Sequence, residues 1–152
     1  NTAIQLDPNY AWAYNRRGLA YDDLGNYNQA IADYNKAIQL DPNYAYAYNN
    51  RGWAYYNLGK YDQAIADYNK AIQLDPSYTA AYNSRGAAYY TLGKYDQAIA
   101  DYNTAIKLNP NDAVAYYIRG LAYEKLGNQR QADADLNKAC SLNKQLCKWG
   151  GL

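Results

Sequence analysis

Pro8, Pro42, Pro76 and Pro110 stand at steps of 34 residues. Gly18, Gly52, Gly86 and Gly120 keep the same step, as do Gly25, Gly59, Gly93 and Gly127, and Ala30, Ala64, Ala98 and Ala132. A fixed period of this size means one supersecondary unit copied and stacked, each copy burying its apolar face against its neighbours. It excludes a chain organised around one central core. It also moves the expected site of function from an enclosed pocket to a surface shared by several copies.

Each copy reads as helix, short turn, helix. Asn9, Asn43, Ser77 and Asn111 follow the prolines and are expected to cap the first helix, because a short side-chain oxygen accepts a free N–H of the first turn. Gly25, Gly59, Gly93 and Gly127 are expected to end that helix in a left-handed cap. Asn28, Asp62 and Asp96 are expected to open the second helix, which runs to about Leu40, Leu74 and Leu108. Asp-Pro or Asn-Pro then stops it, since proline disfavours helix in the residue before it. In the second helix Tyr61, Ala64, Ile65, Tyr68, Ala71 and Ile72 recur at three and four, the spacing of one buried face.

Composition narrows the chemistry. The chain has no His, so it lacks the commonest general base and metal ligand. No nucleophile-and-base set, glycine-rich phosphate loop or metal-ligand spacing occurs, so no enzyme activity, cofactor or metal is expected. A formal net charge of +1 gives no field for nucleic acid or an anionic membrane, and no apolar run approaches the roughly 20 residues that span a bilayer. Neither partner is expected. Tyr is abundant, at 21 residues, and Phe is absent. Its rings fill packing positions, and each hydroxyl needs water or a partner. Asn1–Tyr10 (NTAIQLDPNY) resemble Asn103–Asp112 (NTAIKLNPND), so the chain is read as starting inside a repeat of something longer. The lack of a leader therefore carries no weight, and the compartment stays open.

Tyr48, Gly52, Tyr55, Ala64, Tyr68, Ala71 and Pro76 in one copy, and Tyr14, Gly18, Tyr21, Ala30, Tyr34, Ala37 and Pro42 in the one before, resemble the signature of the tetratricopeptide repeat. The resemblance covers essentially the whole chain. It implies an all-α fold, a right-handed superhelical solenoid of antiparallel helix-turn-helix repeats. The expected division is residues 1–10 as the end of a preceding repeat, then repeats at 11–44, 45–78, 79–112 and a divergent 113–146, with 147–152 as a tail or cap. Arg17, Arg51, Arg85 and Arg119 stand where the family usually has Leu. Asp33, Asp67, Asp101 and Asp135 recur in step with them. The favoured reading is Arg–Asp pairs tying the two helices, over a basic ladder for an anionic ligand. YDQAIADYN occurs at Tyr61–Asn69 and again at Tyr95–Asn103, whereas the last copy drifts, with Gln129, Leu136 and Lys144 at signature positions.

In this family the concave side is lined mainly by first helices. The resemblance implies a protein or peptide partner on Trp12, Asn15, Leu19, Tyr46, Asn49, Trp53, Tyr56, Asn83, Tyr90 and Tyr117. Asn15, Asn49 and Asn83 recur and could bond a peptide backbone, while Trp12, Trp53, Tyr46 and Tyr56 could anchor side chains. Many family members clamp acidic chaperone tails with Lys, Asn, Asn, Lys and Arg. The matching positions here hold Asn15, Leu19, Asn50, Ala80 and Ser84, so that mode is not expected. With Asp22, Asp23 and Glu124 near the groove, a neutral or mildly basic peptide is expected. The alternative function is structural: end-to-end self-association through bare repeat faces around Ile4 and Leu6.

Cys140 and Cys147 are the two cysteines. On one unbroken helix their seven-residue step spans about 10.5 Å, too far for a disulfide. A turn near Asn143 would let them bridge. The segment resembles disulfide-bearing helical-repeat proteins secreted by bacteria. A bridge implies an oxidising compartment, and free thiols leave the cytosol open.

Overall fold

A computed structural model describes residues 2–149, with side chains described from 4 to 147. Among the described residues the regular structure is entirely helical. A short α1 (Thr2–Leu6) is followed by the pairs α2 (Ala11–Asp23) and α3 (Tyr27–Leu40), α4 (Ala45–Asn57) and α5 (Tyr61–Leu74), α6 (Thr79–Thr91) and α7 (Tyr95–Leu108), and α8 (Ala113–Lys125) and α9 (Gln129–Leu142). A 3-10 helix, Lys144–Trp149, closes the chain. The residues group into two compact units, Asn1–Ala81 and Tyr82–Leu152.

The turn inside each pair is set by glycine. Gly59 sits at φ 73°, and its three copies adopt the same left-handed conformation. A side chain there would meet open space but would strain the backbone. The Lys60 N–H then reaches back to the Tyr55 carbonyl at 2.9 Å, closing a Schellman-type end on α4.

The second helices end at Leu40, Leu74 and Leu108 as expected, whereas the starts of the first helices lie one residue beyond the expectation. First helices begin after Tyr10, Tyr44 and Asp112, and second helices after Asn26, Lys60, Lys94 and Asn128. Of these, Asp112 supplies a side-chain cap, accepting from the Val114 and Ala115 N–H groups. Asn9, Asn43, Ser77 and Asn111 instead donate their backbone N–H to the side chain two residues back, Asp7, Asp41, Asp75 and Asn109. The short polar side chain before each proline forms an Asx turn, and this pushes the helix start one residue on.

In the first unit α2 folds back on α3, α4 folds back on α5, and α3 packs on α4. Ala30, Tyr34 and Ala54 form a buried cluster, ringed by Leu19, Tyr21, Tyr27 and Ile31. The close approach is steric: a Cβ on Gly18 would come within 2.5 Å of the fully buried Tyr34 ring. The Tyr34 hydroxyl is not stranded, because it donates to Asp22 Oδ2 at 2.8 Å. In the second unit Ala98, Tyr102, Ala105 and Ala115 form the equivalent cluster. There the Tyr102 hydroxyl donates to the Asn83 carbonyl at 3.4 Å.

Every pair is tied by the Arg–Asp bridge. Arg51 Nε donates to Asp67 Oδ2 at 2.8 Å and its Nη2 to Oδ1 at 2.6 Å. Arg17–Asp33, Arg85–Asp101 and Arg119–Asp135 repeat this two-pronged geometry. The remaining Nη1 of Arg51 reaches Asn35 on α3, and that of Arg119 reaches Asn103 on α7, each at 2.6 Å. One guanidinium thus links three helices while lying against the Tyr48 and Tyr55 rings. Its hydrogen bonds to Asp67 raise the Arg51 pKa against the opposing effect of burial. Both Asp67 oxygens are taken in this way, and Lys70 turns to Gln73 at 3.4 Å.

At the far end α9 stops at Leu142 and Asn143 is extended, at φ −141°. The 3-10 helix then folds back, and Cys140 and Cys147 are joined by a disulfide with their Cα atoms 4.6 Å apart.

Candidate functional site

The first unit carries an open pocket of about 490 Å³, lined by Trp12, Asn15, Arg16, Leu19, Tyr44, Tyr46 and Asn50. It lies where α2 and α4 run beside each other. The helical repeat puts Trp12, Asn15, Arg16 and Leu19 along one side of α2, at steps of three and four. Tyr46 and Asn50 do the same on α4.

Its rings are exposed yet held in place. Trp12 keeps 49% of its surface and Tyr46 keeps 54%. Trp12 stacks on Tyr10 with centroids 5.6 Å apart, and the Arg16 guanidinium lies over the Trp12 ring at 5.6 Å. Tyr46 leans on Tyr78 at 4.8 Å. Further along α4, Trp53 is 46% exposed and stacks on Tyr56, which meets Tyr61 edge-on. Rings braced by other rings lose little freedom on binding, which lowers the entropic cost of using them as anchors.

The amides behave differently from the sequence expectation. Asn15 is 4% exposed and Asn49 is 8% exposed, so neither offers an open peptide-binding edge. Asn15 Nδ2 donates to the Tyr44 hydroxyl at 3.3 Å, and its Oδ1 accepts from Asn50 Nδ2 at 3.0 Å. The side chain points between neighbouring first helices and joins them. In the second unit Asn83, half-buried, donates to Asp112 Oδ2 at 2.6 Å. The acceptor oxygens of Asn49 and Asn83 are enclosed and have no hydrogen-bond partner among the described residues. Asn83 Oδ1 has lost its donor because the place equivalent to Asn50 is taken, two repeats on, by the apolar Ile118.

None of the three acids expected near the groove lines the pocket. Asp22 is turned to Tyr34, and burial raises its pKa while that hydrogen bond lowers it. The ionised group in the pocket is Arg16, so the ground for a neutral or mildly basic partner is removed. Arg16 and Tyr44 were not among the residues singled out from sequence, and Asn50 was named there only as a clamp position. Positions 16 and 50 do vary from copy to copy, as Arg16, Asn50, Ser84 and Ile118, and that variation was the signal available.

Tyr90 and Tyr117 belong to the second unit. Tyr90 meets Tyr95 edge-on at 5.4 Å. Burial, then the charges of Tyr95, Glu124 and Tyr117, raise its pKa. Tyr90 is half-buried and packs against the Ala98–Tyr102 cluster. Among the described residues no group of three or more Cys, Asp or Glu side chains is placed to hold a metal ion. No helix among them is long and apolar enough to cross a membrane.

Tetratricopeptide repeat models match residues 11–44, 45–78, 67–100 and 113–146, and a TPR repeat model matches 88–127. A search of curated protein sequences finds no match. Among solved structures, the crystal structure of MamA is similar at TM-score 0.86 and 32% identity, over 97% of this chain and 86% of that one. The first TPR of Spaghetti (RPAP3) bound to the HSP90 peptide SRMEEVD is similar at TM-score 0.76 and 35% identity, over 77% and 93%. The first TPR domain of human RPAP3 is similar at TM-score 0.76 and 34% identity, over 82% and 98%. With the helix pairs, the buried Gly–Tyr contacts and these matches together, the chain belongs to the tetratricopeptide repeat family.

Proposed function

We propose that this chain is a protein-interaction scaffold that holds an extended segment of a partner protein against the first helices of its first unit. The observation that carries this reading is the set of half-exposed rings braced by other rings, Trp12 and Tyr46 lining the α2–α4 pocket and Trp53 further along α4. Large apolar rings kept in water are costly unless they meet a partner. The family supports interaction as the function, and the peptide held by the RPAP3 structure supports a peptide as the class of ligand. Its sequence is not carried over, because the clamp positions here hold Leu19, Ala80 and Ser84 in place of charged residues. Tyr90, Tyr117 and Asn83 are assigned no direct contact in this reading.

The test is selection of binders from a random peptide library, followed by the pair Trp12→Ala and Trp53→Ala. Both side chains are half in water, so helical content by circular dichroism should hold. Affinity for the selected peptides should fall about tenfold or more. Unchanged affinity in the double variant would end the groove assignment.

A second reading, self-association, rests on a different face. Leu24 is 73% exposed, whereas its copy Leu58 is half-buried beside the Gly25–Gln29 turn. The outer side of the α2–α3 pair thus presents apolar surface that an internal pair covers. Light scattering across a concentration series decides: a mass that stays monomeric throughout argues against it.

A further inference from the structure

We infer that the segment taken by the α2–α4 pocket is proline-rich, in a polyproline II conformation, with an acidic residue beside the prolines. This rests on the groove reading above and names the partner's chemistry.

Hydrogen-bonding capacity comes first. The Asn15 amide is consumed inside the fold, by Tyr44 and Asn50. The Tyr44 oxygen accepts that bond, which leaves its O–H to donate. Arg16 carries five N–H groups and has no carboxylate partner among the described residues. Asn50 keeps one N–H and its carbonyl oxygen. The pocket is therefore rich in donors. An ordinary extended peptide brings an N–H with each carbonyl, and most of those would be left without partners here. A prolyl segment brings carbonyls and no N–H, and its backbone makes no internal hydrogen bonds.

Spacing comes second. A polyproline II helix advances about 9 Å per three-residue turn. Neighbouring packed helices lie about 8–10 Å apart. Trp12 on α2 and Tyr46 on α4 line the one pocket from two first helices, so a ligand crossing from α2 to α4 meets a ring from each. Proline rings pack flat on aromatic faces, which is how aromatic-lined grooves take PxxP segments.

Charge comes third. Arg16 is the one ionised side chain lining the pocket. It is held over Trp12, beside the surface the prolines would cover. A carboxylate next to the prolines complements it.

Calorimetric titration of the whole chain with three blocked peptides tests this. They are decaproline, decaproline with one central glutamate, and a proline-free glycine–serine decamer with the same glutamate. Decaproline should bind saturably. The glutamate form should bind about threefold to tenfold tighter, and the glycine–serine peptide should not bind measurably. Trp12→Ala with Tyr46→Ala should abolish decaproline binding. Arg16→Gln, a change at an exposed side chain, should weaken decaproline binding, because an amide replaces the five N–H groups of the guanidinium, and should erase the advantage of the glutamate over decaproline. No saturable decaproline binding, or equal binding of the glycine–serine peptide, would overturn the inference. An unaltered glutamate advantage in Arg16→Gln would overturn its acidic part. A failure here beside library peptides that still depend on Trp12 and Trp53 would leave the groove reading standing and remove only the proline chemistry.

Discussion

In α2 and α4 three surface positions hold Trp12, Arg16 and Leu19, then Tyr46, Asn50 and Trp53; in α8 the same positions hold Val114, Ile118 and Leu121. Val114 is exposed, and Ile118 packs partly against the second core. Beneath these surfaces the frame barely changes. Arg17, Arg51, Arg85 and Arg119 each grip an aspartate of the following helix with two hydrogen bonds. The comparison teaches that the frame and the face are separable in this chain. Frame residues touch the paired helix at a fixed offset of 16, so every copy needs the same side chain. Face residues have contacts that differ from copy to copy, such as Trp12 on Tyr10 and Asn50 to Asn15, so no one side chain is required there and they can take on recognition.

The largest test of that separation removes the frame in both units. Arg51→Ala and Arg119→Ala should each cost about 3 kcal/mol, because Asp67 and Asp135 would be left buried and unpaired. Denaturant unfolding measures it. Near-equal losses sharpen the comparison. A loss in one unit alone would break the claim of a common frame.

Next in size is a test of where the frame drifts. A methyl on Gly52 would come within 2.6 Å of the Tyr68 ring, which is fully buried and cannot move aside. A methyl on Gly120 meets Leu136 at 3.1 Å, a half-buried and flexible side chain. Gly52→Ala should therefore destabilise by about 1–3 kcal/mol, and Gly120→Ala by less than about 1 kcal/mol. Thermal unfolding should rank the two clearly, and the reverse order would contradict the packing argument.

The smallest effect is alkaline. Burial first, then Tyr46, Asp75 and Tyr44, push the Tyr78 pKa up to about 12. In the unfolded chain it ionises near about 10. The folded state thus favours the neutral phenol. That contribution is complete below pH about 10 and is lost as pH rises towards about 12. Tyr78→Phe should flatten the loss of stability over that range, followed by unfolding at stepped pH. An unchanged slope would show that Tyr78 is not the group responsible.

Much of the frame was legible in the sequence because its causes are local or strictly periodic. Gly59 marks a left-handed turn wherever the period puts it, and Tyr68 marks the ring facing Gly52. The helix starts were misplaced by one residue because Asp41 and its copies form Asx turns, a competition between side chain and backbone that a capping rule does not weigh. The site was less legible. Asn15, Asn49 and Asn83 recur at a fixed step, and that recurrence was read as a row of amides for a peptide backbone. The resemblance placed them in the groove. The structure turns the Asn15 amide into the space between α2 and α4.

The sequence by itself determined the 34-residue unit, its two helices, the glycine turns and the Arg–Asp pairing. Each of these follows from residue type at a fixed spacing. Only the tertiary structure decided which polar groups are already satisfied: Asp22 by Tyr34, Asn15 by Tyr44 and Asn50. It also decided that Arg16 stands over Trp12 in the pocket. A hydrogen bond depends on where two side chains meet across neighbouring helices, and helical periodicity fixes a face without fixing what the facing helix presents.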